Sequence, residues 1–171
     1  AISYGVDINK PYPTLNGETK DDESTPLSQA SSKNNLALMN FLISQGAKVK
    51  PCVLRAISKS IFMSIDSQII SIKYFIDIGV DINLHDDLGG IMHNNYFHYQ
   101  THTEFLAFLL NNGLNPEIAD KNNRTLLHRM AKIYDQSPTV LLINHGADVY
   151  RADTEGVTPL DLAVNESFKQ R

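Results

Sequence analysis

A single cysteine, Cys52, stands in 171 residues, so no internal disulfide can form and packing alone must hold the fold. That economy suits a reducing, intracellular setting. No run approaches the roughly 18 consecutive apolar residues that a membrane-spanning helix requires. Positive charge is not in excess either: 15 Lys and Arg against 19 Asp and Glu leave a net charge of −4. This speaks against a nucleic-acid partner, whose binding surface carries clustered cations. No glycine-rich phosphate loop is present, and Gly89-Gly90 reads as a turn pair. Cys52 follows Pro51 at a helix start, where a thiol pKa can fall. No histidine lies near it in sequence, so no nucleophile–base pair is assembled and the chain is not read as an enzyme. Nothing calls for a cofactor. A hydrophobic fraction of 42% and a charged fraction of 20% are ordinary for a domain of this length.

What the chain does contain is a recurring turn. Gly5-Val6-Asp7-Ile8-Asn9, Gly46-Ala47-Lys48-Val49-Lys50, Gly79-Val80-Asp81-Ile82-Asn83, Gly113-Leu114-Asn115-Pro116-Glu117 and Gly146-Ala147-Asp148-Val149-Tyr150 follow one another at glycine spacings of 41, 33, 34 and 33. A fixed period of this size marks a solenoid, in which each unit buries its apolar face only against its neighbours.

The clearest unit spans 125–146. Thr125 to Ile133 reads as a short first helix, with Thr125 placed to cap it. Asp135-Gln136-Ser137-Pro138 is a loop, and Pro138 suits the first turn of a second helix. Val140-Leu141-Leu142-Ile143 supplies that helix's apolar face, and Gly146 ends it in the left-handed region. A polar turn, Ala152 to Gly156, then leads to Thr158-Pro159-Leu160-Asp161 and another helix. This grammar resembles the ankyrin repeat. The resemblance rests on Thr25-Pro26-Leu27-Ser28-Gln29-Ala30, Thr125-Leu126-Leu127-His128, Thr158-Pro159-Leu160-Asp161-Leu162-Ala163 and the five glycine turns. It covers nearly the whole chain. Leu27 and Leu160 are expected to plug the space between stacked helices. Ala30, Ala131 and Ala163 are small enough for close approach, and the turn aspartates are expected to accept backbone amides.

The expected fold is therefore an all-α ankyrin-repeat solenoid of about four to five helix–loop–helix units, a single array over 1–171. Residues 1–24 form the end of a preceding repeat plus a long turn. Repeats follow at 25–50, 51–83 (irregular), 84–117 (irregular) and 118–150, and 151–171 starts a truncated one. Ile2-Ser3-Tyr4-Gly5 matches Ile43-Ser44-Gln45-Gly46, so the chain is expected to open and close inside a repeat, as a piece of a longer protein.

Three stretches depart from the pattern. The 10–23 segment lengthens the first turn and is rich in turn formers and acids. It reads as a surface insertion or as a binding finger anchored by Tyr12 and Leu15. Residues 60–66 read as an enlarged interhelical loop whose apolar residues are either buried or an exposed patch. In 89–104 two registers compete. One sets Met92-His93 against Leu127-His128 at the expense of a one-residue deletion in the turn, and it suits burial better. The other aligns Asp86 and Gly89 with the turn consensus and buries His93. His93, His98, His102 and Glu104 have a density that evokes zinc, but the expected helix break before Thr101 and the lack of a nearby cysteine favour surface histidines. Asn83 looks like the turn asparagine that an asparaginyl hydroxylase modifies in ankyrin proteins. Phe75 stands where that enzyme's preference has leucine.

The resemblance implies a protein–protein interaction module that uses its turn tips and concave first-helix face. The expected contact residues are His85, Asp87 and Leu88 in the third turn, and Ala119, Lys121, Asn122 and Arg124 in the fourth. Lys132 and Ile133 join them on the adjoining helix, Thr154 and Glu155 in the fifth turn, and Tyr96 and Tyr99 as aromatic anchors. The array is expected to be monomeric. Alternatives are a targeting arm of a multidomain enzyme or secreted effector whose catalytic domain lies outside this chain, and a self-associating spacer. Asn-, Ile- and Lys-rich stretches such as Lys33-Asn34-Asn35 and Lys121-Asn122-Asn123 are typical of AT-rich genomes. With irregular units they resemble host-directed effectors of intracellular bacteria or poxvirus-type host-range proteins, which would place the chain in a host cytosol. Irregular units are also common in eukaryotic ankyrin proteins.

Overall fold

The computed structural model describes residues 7–11, 25–60, 63–92, 101–133 and 136–163. The described residues are all-α, with seven α-helices: α1 (Pro26–Ser32), α2 (Leu36–Ser44), α3 (Pro51–Ser58), α4 (Ile65–Asp77), α5 (Thr101–Asn111), α6 (Leu126–Met130) and α7 (Ser137–Asn144). The chain turns helical again over 159–163. Among these residues the only β-pairings are two isolated bridges, Asp86 with Gly89 and Ala119 with Thr125. No described helix is long and apolar enough to cross a membrane. Two compact units divide the chain, Ala1–Leu84 and His85–Arg171.

In the first unit α1 packs on both α2 and α3, and α3 packs on α4. Proline starts the helices that need a firm entry: Pro26 opens α1 and Pro51 opens α3, where the missing amide costs nothing. Thr25 Oγ1 accepts the Ser28 amide at 3.2 Å, and Asn35 Oδ1 accepts the Leu38 amide at 3.0 Å, so α1 and α2 each have a side-chain cap. Leu27, Met39, Val53, Leu54, Ile57, Ile72 and Phe75 are buried. Each such side chain contributes on the order of 1.5–3 kcal/mol relative to exposure. Polar side chains close the seams. Ser60 Oγ donates to the Ser32 carbonyl at 2.7 Å, and the buried Gln68 amide donates to the Ile57 carbonyl at 3.1 Å. Val53 and Leu54 are both fully buried in α3. Ile65 and Asp66 belong to α4, which Ser64 caps, so the connection between α3 and α4 is shorter than 60–66.

In the second unit α7 packs on α5 and on α6. Helix α6 has only five residues. Its last turn tightens into i→i−3 bonds, Lys132 N–H to Arg129 O at 3.4 Å and Ile133 N–H to Met130 O at 3.0 Å. Lys132 and Ile133 therefore lie in a turn beyond the helix, not on it as the sequence suggested. Leu160 also differs from expectation. It is 44% exposed while its counterparts Leu27 and Leu127 are 1% exposed. Likewise Val140 and Ile143 face outward on α7, and Leu142 carries its burial. Ile91 and Met92 are buried, and the turn before them carries the one-residue deletion that one of the two registers requires. That deletion sits at the turn: Asp86 N–H pairs with Gly89 O, whereas Asp120 N–H reaches one residue further, to Arg124 O.

Four helix ends share one hydrogen-bond pattern. The amides of Gly46, Gly79, Gly113 and Gly146 donate three residues back, to Ile43, Ile76, Leu110 and Ile143. Those of Ala47, Val80, Leu114 and Ala147 donate five back, to Leu42, Phe75, Leu109 and Leu142. This is the Schellman arrangement, and it sets each glycine at φ between 83° and 93°. A Cβ at Gly146 would meet nothing within 4 Å, so substitution there strains only the backbone. Gly146→Ala is expected to lower stability by about 1–2 kcal/mol in urea unfolding, and Gly146→Asn by less. Equal stability for Ala and Gly would mean that this cap is not held in the left-handed region.

Candidate functional site

The turns after Gly79, Gly113 and Gly146, and the turn at 7–10, are self-bonded. Asp7, Asp81, Asn115 and Asp148 each accept the amide two residues on, at 2.8–2.9 Å. Within the second unit the polar tips beyond them are built alike. Asp86, Asp120 and Asp153 Oδ1 accept the amides of Leu88, Asn122 and Glu155 at 2.9 Å. Gly89, Asn123 and Gly156, at φ 88°, 58° and 79°, then reverse the chain. Positive φ explains why Gly or Asn stands at each of these three places.

Successive tips are joined through the backbone. The Lys121 amide donates to Asp87 O at 2.9 Å, and the Thr154 amide donates to Asn122 O at 3.0 Å. Side chains reinforce the second junction. Asn123 Nδ2 donates to Ala152 O at 2.7 Å, and Arg151 donates to Glu117 O, Glu117 Oε2 and Asn123 Oδ1 at 2.8, 3.0 and 2.6 Å. Glu117 Oε1 accepts the Asp148 amide at 2.9 Å. The result is a row of three tips in which Asp87, Leu88, Lys121, Asn122, Thr154 and Glu155 are exposed. His85 and Lys132 are exposed as well, and Ala119, Arg124 and Ile133 are half-buried. Tyr96 and Tyr99 lie outside the described residues, as do His93, His98 and the side chain of His102. The 12–23 part of the insertion, with Tyr12 and Leu15, lies outside them too.

Arg124 has a different role from the one its sequence position suggested. Its Nε donates to Asp153 Oδ2 at 2.8 Å, and Nη2 lies 3.3 Å from Glu155 Oε2. The guanidinium bond holds the Asp153 carboxyl well below the usual range, at about 2, and the Val157 and Glu155 amides add to the depression. Arg124 is correspondingly raised, chiefly by the same bond. It is a fastener between tips before it is a contact residue. Sequence reasoning missed Arg151 and Glu117 and the tie from Asp153 to Arg124. A partial signal was the aspartate at 86, 120 and 153, spaced 34 and 33 residues apart in step with the glycines.

Large apolar or aromatic side chains are also exposed away from the tips: Tyr150 at 71%, Phe41 at 54% and Val140 at 53%. Among the described residues no group of three or more His, Cys, Asp or Glu side chains converges as metal ligands would. Comparison with protein-family models and with curated proteins gives no match.

The Asp153 carboxyl titrates lower when folded than unfolded. Its contribution to stability is therefore complete above about pH 3.9 and lost as pH falls through about 2. Arg124→Ala is expected to lower the thermal midpoint at pH 7 and to flatten the decline between pH 4 and 2, followed by circular dichroism. An unaltered acid limb would mean that the turn amides alone hold Asp153 ionised.

Proposed function

We propose that the chain is an ankyrin-type array that binds a partner protein through the row of turn tips at 85–89, 119–125 and 150–157, with Lys132 and Ile133 beside it. The observation that carries this reading is the backbone ladder between the tips. It fixes six exposed side chains on a support whose conformation does not depend on them. Binding by such a surface loses little ordering entropy, which favours affinity over a loop of the same composition. The row mixes Asp87 and Glu155 with Lys121 and the apolar Leu88. A protein surface with charges of both signs and a small apolar contact fits it better than a polyanion does. The period of the glycine turns and the four Schellman ends support the array reading, and lone Cys52, buried in α3, suits an intracellular site of action.

The test is affinity enrichment from eukaryotic cell lysate with three proteins side by side: the parent chain, Leu88→Ser/Lys121→Ala/Asn122→Ala, and Val140→Ser/Ile143→Ser. The reading expects a protein captured by the parent and by the α7 variant but lost with the tip variant, at unchanged melting temperature. Capture that survives the tip changes and fails with the α7 changes would move the binding surface to the second helices.

A further inference from the structure

His128 is 1% exposed, and both ring nitrogens are engaged. Nδ1 accepts the Thr125 amide at 3.1 Å and lies 2.9 Å from Thr125 Oγ1, while Nε2 lies 3.3 Å from the Val157 carbonyl oxygen. A backbone amide only donates and a backbone carbonyl only accepts. The ring is therefore neutral, with its one proton on Nε2. In this tautomer a single side chain joins the first turn of α6 to a turn 29 residues further along.

The surroundings disfavour a second proton. Burial is the largest influence and pulls His128 below the ordinary histidine range; the Val157 carbonyl and the Asp153 carboxylate oppose it, and Arg124 and Arg151 add to it. Helix α7, packed on α6, carries no ionisable side chain. On α6 itself Arg129 is turned to Asp120, at 3.5 Å.

We propose that His128 is an acid-released latch between α6 and the 148–158 turn. A proton taken from solvent onto Nδ1 removes the acceptor of the Thr125 N–H and leaves Thr125 Oγ1, 2.9 Å away, to take the new N–H. Two donors within 3.1 Å repel, the ring swings away, and its bond to Val157 is lost with it. The equivalent places in the other two threonine caps have no such switch. Thr25 is followed by Ser28, which does not titrate, and Thr158 by Asp161. Asp161 Oδ2 accepts the Thr158 amide at 3.0 Å and the hydroxyl at 2.7 Å, and those bonds hold its carboxyl below the usual range. It therefore stays ionised at pH 5. Because the folded-state value of His128 lies below the unfolded one, its contribution is complete above about pH 6.5 and is lost as pH falls from there.

The experiment is amide hydrogen exchange on the full chain between pH 7.5 and 5.0, corrected for intrinsic rates and read on peptides from 117–133 and 148–163. Protection in both segments is expected to fall by up to about tenfold per pH unit below about 6.5 in the parent. It should hold steady in His128→Asn, whose Oδ1 offers Thr125 an acceptor that does not titrate. Equal losses in the two proteins overturn the latch. Should His128→Asn fail to fold, nitrogen-15 NMR of the parent decides. An Nε2–H ring that protonates only below the ordinary histidine range, together with shifts of the Thr125 and Val157 signals, supports it. Protonation within that range, with both signals unmoved, overturns it.

Discussion

Each helix end at Gly46, Gly79, Gly113 and Gly146 forces the chain into the left-handed region, and everything beyond follows from that reversal. The glycine amide and the one after it reach back to satisfy carbonyls that the helix leaves open. The amide of the residue after the glycine stays tied to the helix it has just left, and Ala47, Leu114 and Ala147 are buried. The side chain that follows, where it is Asp or Asn, accepts the amide two residues on and starts the polar turn. One backbone constraint thus sets the helix length, the direction of exit and the place where the tip begins.

Between tips the balance of forces changes. Backbone bonds from Lys121 and Thr154 give spacing without sequence preference, whereas Asp153, Arg124, Arg151 and Glu117 add charge and position. The ion pairs are partly open to solvent, where such pairs alone contribute little. Their effect comes from sharing. Asp153 serves two amides of its own turn and the guanidinium of the preceding one, so loss of any partner loosens a turn and a junction together.

Much of this was legible because glycine, proline and threonine act locally. The glycine turns, the proline entries at 26, 51 and 138, the Thr25 cap and the turn aspartates could all be read from short spacings. What escaped depended on neighbours. The outward-facing Leu160 and the half-buried, ion-paired Arg124 are decided by what lies beside them, and no spacing encodes that. Helix α6 stops at Met130 although its pattern runs on to Ile133. The asparagines are instructive. Lys33-Asn34-Asn35 and Lys121-Asn122-Asn123 looked like compositional bias, yet Asn34 and Asn123 sit at φ 51° and 58° and Asn35 caps α2. Of the contact residues chosen from sequence, the exposed members of three tips are brought into one row, whereas Tyr96 and Tyr99 fall where the structure describes nothing.

The hairpin at 86–89 carries a lesson about tolerance. It closes one residue sooner than the 120–124 turn, yet Lys121 still finds Asp87 and the following Ile91 and Met92 are still buried. The shorter turn keeps the Asp87–Lys121 bond and the buried pair that follows it. Tip length is thereby uncoupled from the body of the molecule. Natural drift, or a designer grafting a foreign peptide, can rewrite these outermost positions while the scaffold beneath keeps its dimensions.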